Sequence, residues 1–157
     1  MAIRNIVQLG DDVLRNISKE VTEFDDKLHI LLNDMQDTLI KANGAGLAAP
    51  QVGVLKRVFL VVDDNNNIIE FINPKILKMK GTQVGEEGCL SVKGSNGKCK
   101  YGTVQRFLSV DVMAYNRYGQ QFRIKAKGFM ARAIQHEYDH LDGILYIDKA
   151  TNVKEDI

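Results

Sequence analysis

Leu28, Leu31, Leu32, Met35 and Leu39 recur at spacings that fall on one face of an α-helix. They predict a helix over about 25–42. Asp25 and Asp26 suit its electropositive start, and Asn43-Gly44 suits its stop. The next segment, 44–51, is too rich in small residues to read as ordinary core. Residues 57–62 read as a buried strand, the Asp63–Asn67 cluster as its turn, and 68–72 as the return strand. Further strands are expected at about 75–80, 82–86, 104–115 and 120–126, with a hairpin turn at 116–119. A second helix is expected from Gly128 to about Leu141, where Phe129, Ala133, Ile134 and Tyr138 are available for packing. Gly143 would end it, and Ile144-Leu145-Tyr146 would close the fold. The order is helix, run of strands, helix. It lacks βαβ alternation, so the expected fold is α+β: antiparallel sheets around a C-terminal helix, with a long N-terminal helix.

The chain has 157 residues, and 1–157 is expected to be a single domain. Its 21 basic and 20 acidic residues leave a net charge of +1, which disfavours a general nucleic-acid binder and points to no sequence-specific nucleic acid as partner. Apolar runs such as 58–62 fall far short of the roughly 18 to 20 residues that span a bilayer, so no membrane partner is expected. The start, Met1-Ala2-Ile3-Arg4, lacks the apolar run of a signal peptide, and the expected location is cytoplasmic. In that reducing setting Cys89 and Cys99 are read as ligand, nucleophile or bystander before disulfide.

His136-Glu137-Tyr138-Asp139-His140 carries the strongest chemical signal. Residues four apart share a helical face, so both imidazoles can reach one metal ion, and Glu137 beside the first can handle a proton without being a ligand. The pattern uses two of the chain's 3 histidines, which weighs against a merely solvated helix. A catalytic site needs a third protein ligand. No histidine follows His140. Of the acids downstream, Asp142 is too near to fold back, and Glu155 and Asp156 lie in a polar tail; Asp148 completes the set. An upstream ligand is therefore expected, and Cys89 is the best candidate, since a thiolate is a strong soft ligand. The plain alternative for Cys89 is a small buried hydrophobe. Cys99, in a polar loop, is read as a bystander.

Three motifs then coincide: Gly44-Ala45-Gly46-Leu47-Ala48-Ala49-Pro50-Gln51, Glu87-Gly88-Cys89-Leu90-Ser91, and Gln135 to His140 followed by Leu141. In order and spacing they resemble the G-x-G-x-A-A-x-Q, E-G-C-L-S and Q-H-E-x-D-H motifs of the peptide deformylase family. The resemblance runs from about Ile3 to Lys149. It implies removal of the N-formyl group from the initiator methionine of nascent chains. It implies Cys89, His136 and His140 as ligands of one divalent metal ion. Iron(II) is favoured, and zinc, nickel or cobalt are possible in purified protein. It gives Glu137 the acid–base role and the Gln51 side-chain amide and Leu90 backbone N–H the task of holding the formyl oxygen. Gly44, Ala45, Gly46 and Gly88 would let a peptide approach as an added strand, and Leu90, Ala133 and the stem of Arg132 would receive the methionine. N-formylmethionyl nascent peptides and the ribosome surface are the implied partners. Gly10 and Lys93 stand where many members have proline. A zinc endopeptidase, which would take its third ligand after His140, and a peptide-binding module without turnover are the competing readings. Arg106 on a following strand is expected to pair with Glu87, either as a bidentate brace or as a solvated surface pair.

Overall fold

A computed structural model of the chain describes residues 2–155. Helix α1 spans Asp26–Ala42. Asp25 caps its start by accepting from the Leu28 N–H, and Asn43 ends it in a left-handed conformation, φ 54°. Strand β1 is Gly46–Ala48, followed by a 3-10 turn at Ala49–Val52. Strands β2, Val58–Val62, and β3, Ile68–Lys80, form a hairpin. Strands β4, Gln83–Lys93, and β5, Cys99–Arg106, form a second. A third pairs β6, Ser109–Tyr115, with β7, Gln121–Lys127. Helix α2 spans Gly128–His140, a 3-10 turn follows at Tyr146–Asp148, and β8 is Thr151–Glu155.

The strands form two antiparallel sheets, β1-β2-β3-β6-β7 and β4-β5-β8. Alternation along β2 shows how the larger sheet sits. Phe59 and Val61 face a core shared with Met130, Ala131 and Ile134 of α2, whereas Val58 and Leu60 face a core shared with Leu28, Leu32, Met35 and Leu39 of α1. Thus α1 packs on one face of the five-stranded sheet and α2 on the other. The three-stranded sheet closes over the remaining side of α2 through Cys89, Val92 and Val104, packed with Tyr146. Every residue of α2 from Met130 to Glu137 is buried, including Arg132, Gln135, His136 and Glu137. A helix so enclosed does not present polar residues to water, so its polar atoms must find partners inside the protein.

Both long helices and the α+β order match expectation; several strand limits do not. The expected strands at 68–72 and 75–80 are one strand. It slips register between Ile72 and Lys75, where Asn73 adopts φ 49° and bonds the Val21 backbone through its amide, and where Pro74 cannot donate to the ladder. The expected strand at 104–115 is two, in different sheets, because the chain crosses between sheets at Phe107-Leu108. There the Gln135 side chain binds both the N–H and the C=O of Phe107, at 3.0 and 2.9 Å. Strand β4 continues past the expected end at Glu86, so Cys89 lies within a strand, and Cys99 opens β5 where a loop was expected. The polar 151–155 segment, read as tail, pairs with β5 as an edge strand; Asp156 lies outside the described residues. The small-residue segment is core after all from Leu47 to Gln51, all buried. No helix among the described residues is long and apolar enough to cross a membrane.

Candidate active site

The edge strands β1 and β4 of the two sheets face each other across a cleft of about 350 Å³, with α2 as its floor. Its lining includes every residue expected to bind metal or substrate or to act in catalysis except His140, which lies one helical turn below His136. One ligand atom each from Cys89, His136 and His140, all buried, lies within 4.8 Å of the others. The Cys89 sulfur is 3.5 Å from His140 Nε2.

Each of these side chains is oriented by a neighbour. Glu87 Oε1 accepts from His136 Nδ1 at 2.9 Å, which fixes the tautomer and leaves Nε2 to face the cluster. The Ser91 N–H and Gln51 Nε2 both donate to the Cys89 sulfur at 3.5 Å, which holds it in place. Gln51 is itself held at both ends. Its Oε1 accepts from the Ala48 N–H at 3.0 Å, and its Nε2 reaches Ser91 Oγ at 3.1 Å. Leu90 follows Cys89 in β4, and its carbonyl accepts from Gln8 Nε2 at 3.0 Å.

Glu137 lies against β1. A Cβ on Gly46 would stand 2.7 Å from Glu137 Oε2, so only glycine allows this approach. The second oxygen, Oε1, is buried without a hydrogen-bond partner among the described residues. Such an atom is costly unless a ligand or water serves it. Burial pushes the Glu137 carboxyl up to about 7; Glu87 and Asp139 add to the shift, and His136 and Arg106 oppose it. A pKa near neutrality suits a group that both takes and returns a proton.

Glu87 and Arg106 form the bidentate alternative of the expected pair, Nε–Oε2 and Nη2–Oε1 both 2.9 Å, and both are buried. The pair is part of a larger network. Arg132 Nη1 reaches Glu87 Oε2 at 2.6 Å and the Val104 carbonyl at 3.0 Å. Arg106 Nη1 reaches Asp139 at 2.6 Å, and Lys149 joins Asp139 at 2.9 Å. Burial alone would raise the Glu87 carboxyl, but the bonds from Arg106 and His136 hold it well below the usual carboxylate range. Arg132, expected to lend its stem to a methionine pocket, lines the cleft yet spends its guanidinium on this network. Leu90 and Ala133 do line the cleft, as does Phe129, whose side chain the sequence reading had assigned to packing and which is 65% exposed. The roles of Ser91, Tyr146 and Arg132 as supports were not anticipated. The Tyr146 ring stacks on His136 at 5.9 Å. Of the downstream acids, Asp142 pairs with Arg57 and Asp148 with Arg15, so neither joins the cluster.

The family model for polypeptide deformylase matches residues 3–156. A peptide deformylase from Caldicellulosiruptor bescii is 50% identical over 149 residues, 95% of this chain and 86% of that one. The chain belongs to the peptide deformylase family. Crystal structures of peptide deformylases from Legionella pneumophila and Thermotoga maritima superpose with TM-scores of 0.88 and 0.89, at 44% and 38% identity. They cover 96% of this chain in both cases, and 88% and 99% of those chains. The protein is accordingly a metal-dependent hydrolase that removes the N-formyl group from the N-terminal methionine of nascent polypeptides. The donor set fits a divalent ion of that kind: one cysteine sulfur, two imidazoles of which His136 has its tautomer set, and a carboxylate oxygen beside them without a partner among the described residues.

Replacing Glu87 by glutamine keeps its shape but removes the counter-charge of Arg106 and Arg132. The expected loss is about 3–5 kcal/mol of unfolding free energy, as for other broken buried pairs, measured in urea at pH 7. The pH dependence carries a sign. The folded-state pKa of Glu87 is depressed, so its contribution is complete above the unfolded value of about 4.3 and fades as pH falls below it. The unsubstituted protein should therefore lose stability more steeply than Glu87→Gln on acidification below that value; parallel curves would contradict the network.

Proposed function

We propose that Cys89, His136 and His140 hold the catalytic ion, that Glu137 transfers the proton, and that Gln51 and Leu90 receive the formyl oxygen. The observation that carries this reading is the convergence of a thiol and two imidazoles within 4.8 Å, beside the buried, unpartnered Glu137 oxygen. A divalent cation bound there supplies Lewis acidity, which makes water a usable nucleophile near neutral pH and polarises the formyl carbonyl. Glu137 takes the proton of the attacking water and delivers it to the departing amine, so that formamide and water become formate and a free N-terminus. The fixed Gln51 amide has two hydrogens. One is engaged at Ser91, and the other, donated to the Cys89 sulfur at 3.5 Å, is the one that turns to the oxygen of the tetrahedral intermediate. With the Leu90 N–H it forms a pair of donors, each worth about 3 kcal/mol by comparison with other oxyanion holes.

The substrate lies in the cleft between β1 and β4. Gly44 to Gly46 and Gly88 keep side chains out of its path, and an extended formyl-peptide adds to these two edge strands. Leu90 and Ala133 receive the methionine side chain, with Arg132 forming part of the wall. The protein works in the cytoplasm at the ribosome surface. Iron(II) is its physiological ion, a choice supported by the family resemblance, since the donor set alone admits zinc, nickel and cobalt.

Three outcomes are expected. Glu137→Gln keeps fold and metal content but loses 10²–10⁴-fold in hydrolysis of formyl-Met-Ala-Ser; retention of more than about a tenth of the activity would reject the proton-transfer role. Cys89→Ala loses metal or activity, whereas Cys99→Ala loses neither, as elemental analysis and the same assay would show; a fully metallated, active Cys89→Ala protein would sink the ligand set. Anaerobic reconstitution of apo-protein with iron(II) gives turnover well above the zinc form and greater sensitivity to oxygen, because a thiolate next to iron can climb the oxidation ladder. Equal activity and equal oxygen tolerance of the two forms would remove iron while leaving deformylation in place.

A further inference from the structure

The net charge of +1 conceals a strong asymmetry. On the α1 side of the five-stranded sheet, beyond the part that α1 covers, β3, β6 and β7 align three rows in register. Lys80, Ser109 and Lys127 form one, Lys78, Asp111 and Lys125 the next, and Lys75, Met113 and Arg123 the third. Directly opposed residues share a face, so these rows form one surface, with neighbours about 5 Å apart across strands and rows about 7 Å apart along them. The opposite face of the same strands carries Val110, Val112, Ala114 and Ala126, packed against α2. The six basic residues are all exposed. Asp111, at the centre, is buried and already neutralised by Arg123 through a bidentate pair at 2.7 and 2.6 Å. None of the five lysines has an ion-pair partner within 4.0 Å among the described residues. The rest of the chain holds fifteen basic against nineteen acidic residues, so the surplus is local to this face.

We propose that this face docks the phosphate backbone of structured RNA. The proposal deepens the reading of the protein as an enzyme of nascent chains at the ribosome, and it rests on that reading. A substrate that exists only where chains are being made puts the enzyme beside an RNA-rich particle. A lattice of exposed lysines around a depression of about 380 Å³, without ion-pair partners among the described residues, meets repeated phosphates without reading sequence. An anionic membrane would be better met by apolar side chains that insert among lipids; between these lysines stand Ser109, Asp111 and the half-buried Met113. The catalytic cleft lies at the β1 edge, at the other end of the sheet order from β7, so RNA on this face leaves the cleft open.

The test measures binding of the metal-loaded protein to a 20-base-pair RNA hairpin by fluorescence anisotropy from 50 to 200 mM salt. The variants are the quadruple Lys78→Gln, Lys80→Gln, Lys125→Gln, Lys127→Gln and a control on α1, Lys27→Gln with Lys41→Gln. Expected are at least tenfold weaker binding by the quadruple variant at 50 mM salt and a log–log salt slope shallower by about 2 to 4, with the control unchanged. Equal loss in both variants, or no salt-dependent binding by the unsubstituted protein, would overturn the proposal. So would tighter, lysine-dependent binding to vesicles of 30% phosphatidylserine in phosphatidylcholine, which would make the partner a membrane. Formyl-Met-Ala-Ser hydrolysis, run in parallel, should be the same for all three proteins. If the unsubstituted, loaded protein fails to hydrolyse it, the deformylase reading falls, whereas intact hydrolysis without lysine-dependent binding removes only the docking face.

Discussion

The Glu87 carboxylate is the point on which the site depends. It is buried between the two sheets and accepts from Arg106, Arg132 and His136, so one side chain of β4 fixes a strand partner, the floor helix and an imidazole at once. Removing Glu87 would take this counter-charge from two buried arginines at once, which is far more costly than losing a surface pair. The network therefore sets the position of His136 more firmly than packing alone could. Through Asp139 and Lys149 it also ties the end of α2 to the segment that precedes β8.

The second constraint is steric. α2 is buried from Met130 to Glu137, and Glu137 can enter the cleft only because β1 offers no side chain at Gly46. On β4, Gly88 makes room for its cross-strand neighbour instead: a Cβ there would stand 2.7 Å from the Tyr101 ring. Both sheets thus present edges thinned by glycine to one cleft, while their paired strands hold those edges rigid. Unpaired backbone at a sheet edge is ordinarily a liability; in the proposed reading it is where an extended peptide adds.

Much of this was legible in the sequence. The heptad-like spacing of leucines in α1, its caps, and the two histidines four apart on α2 each follow from local periodicity, and the count of remaining ligands singled out Cys89, which the fold brings to the two histidines. The Glu87–Arg106 pair was anticipated as one of two alternatives. What local pattern could not reveal was how tertiary contacts divide the strands. The run 104–115 has continuous strand character, yet Gln135, far along the chain, splits it between sheets by binding Phe107. The polar 151–155 segment has no apolar alternation because it is an edge strand with little to bury. The bracing role of Arg132 was hidden because its partner, Glu87, is 45 residues away. The lysine face was hidden for a similar reason: its rows come from three strands whose register only the folded sheet defines.

The proposed metal centre is built jointly by β4 and α2, with Glu137 beside it and outside its ligand set. Its most direct test is anomalous diffraction from crystals of the iron- or zinc-loaded protein. The account predicts a single strong anomalous peak bonded to Cys89 Sγ and to a ring nitrogen of His136 and of His140, at about 2.0–2.3 Å, with no Glu137 oxygen in the ligand shell. A peak ligated by Glu137 or by Asp142, or one that leaves Cys89 unbound, would contradict it.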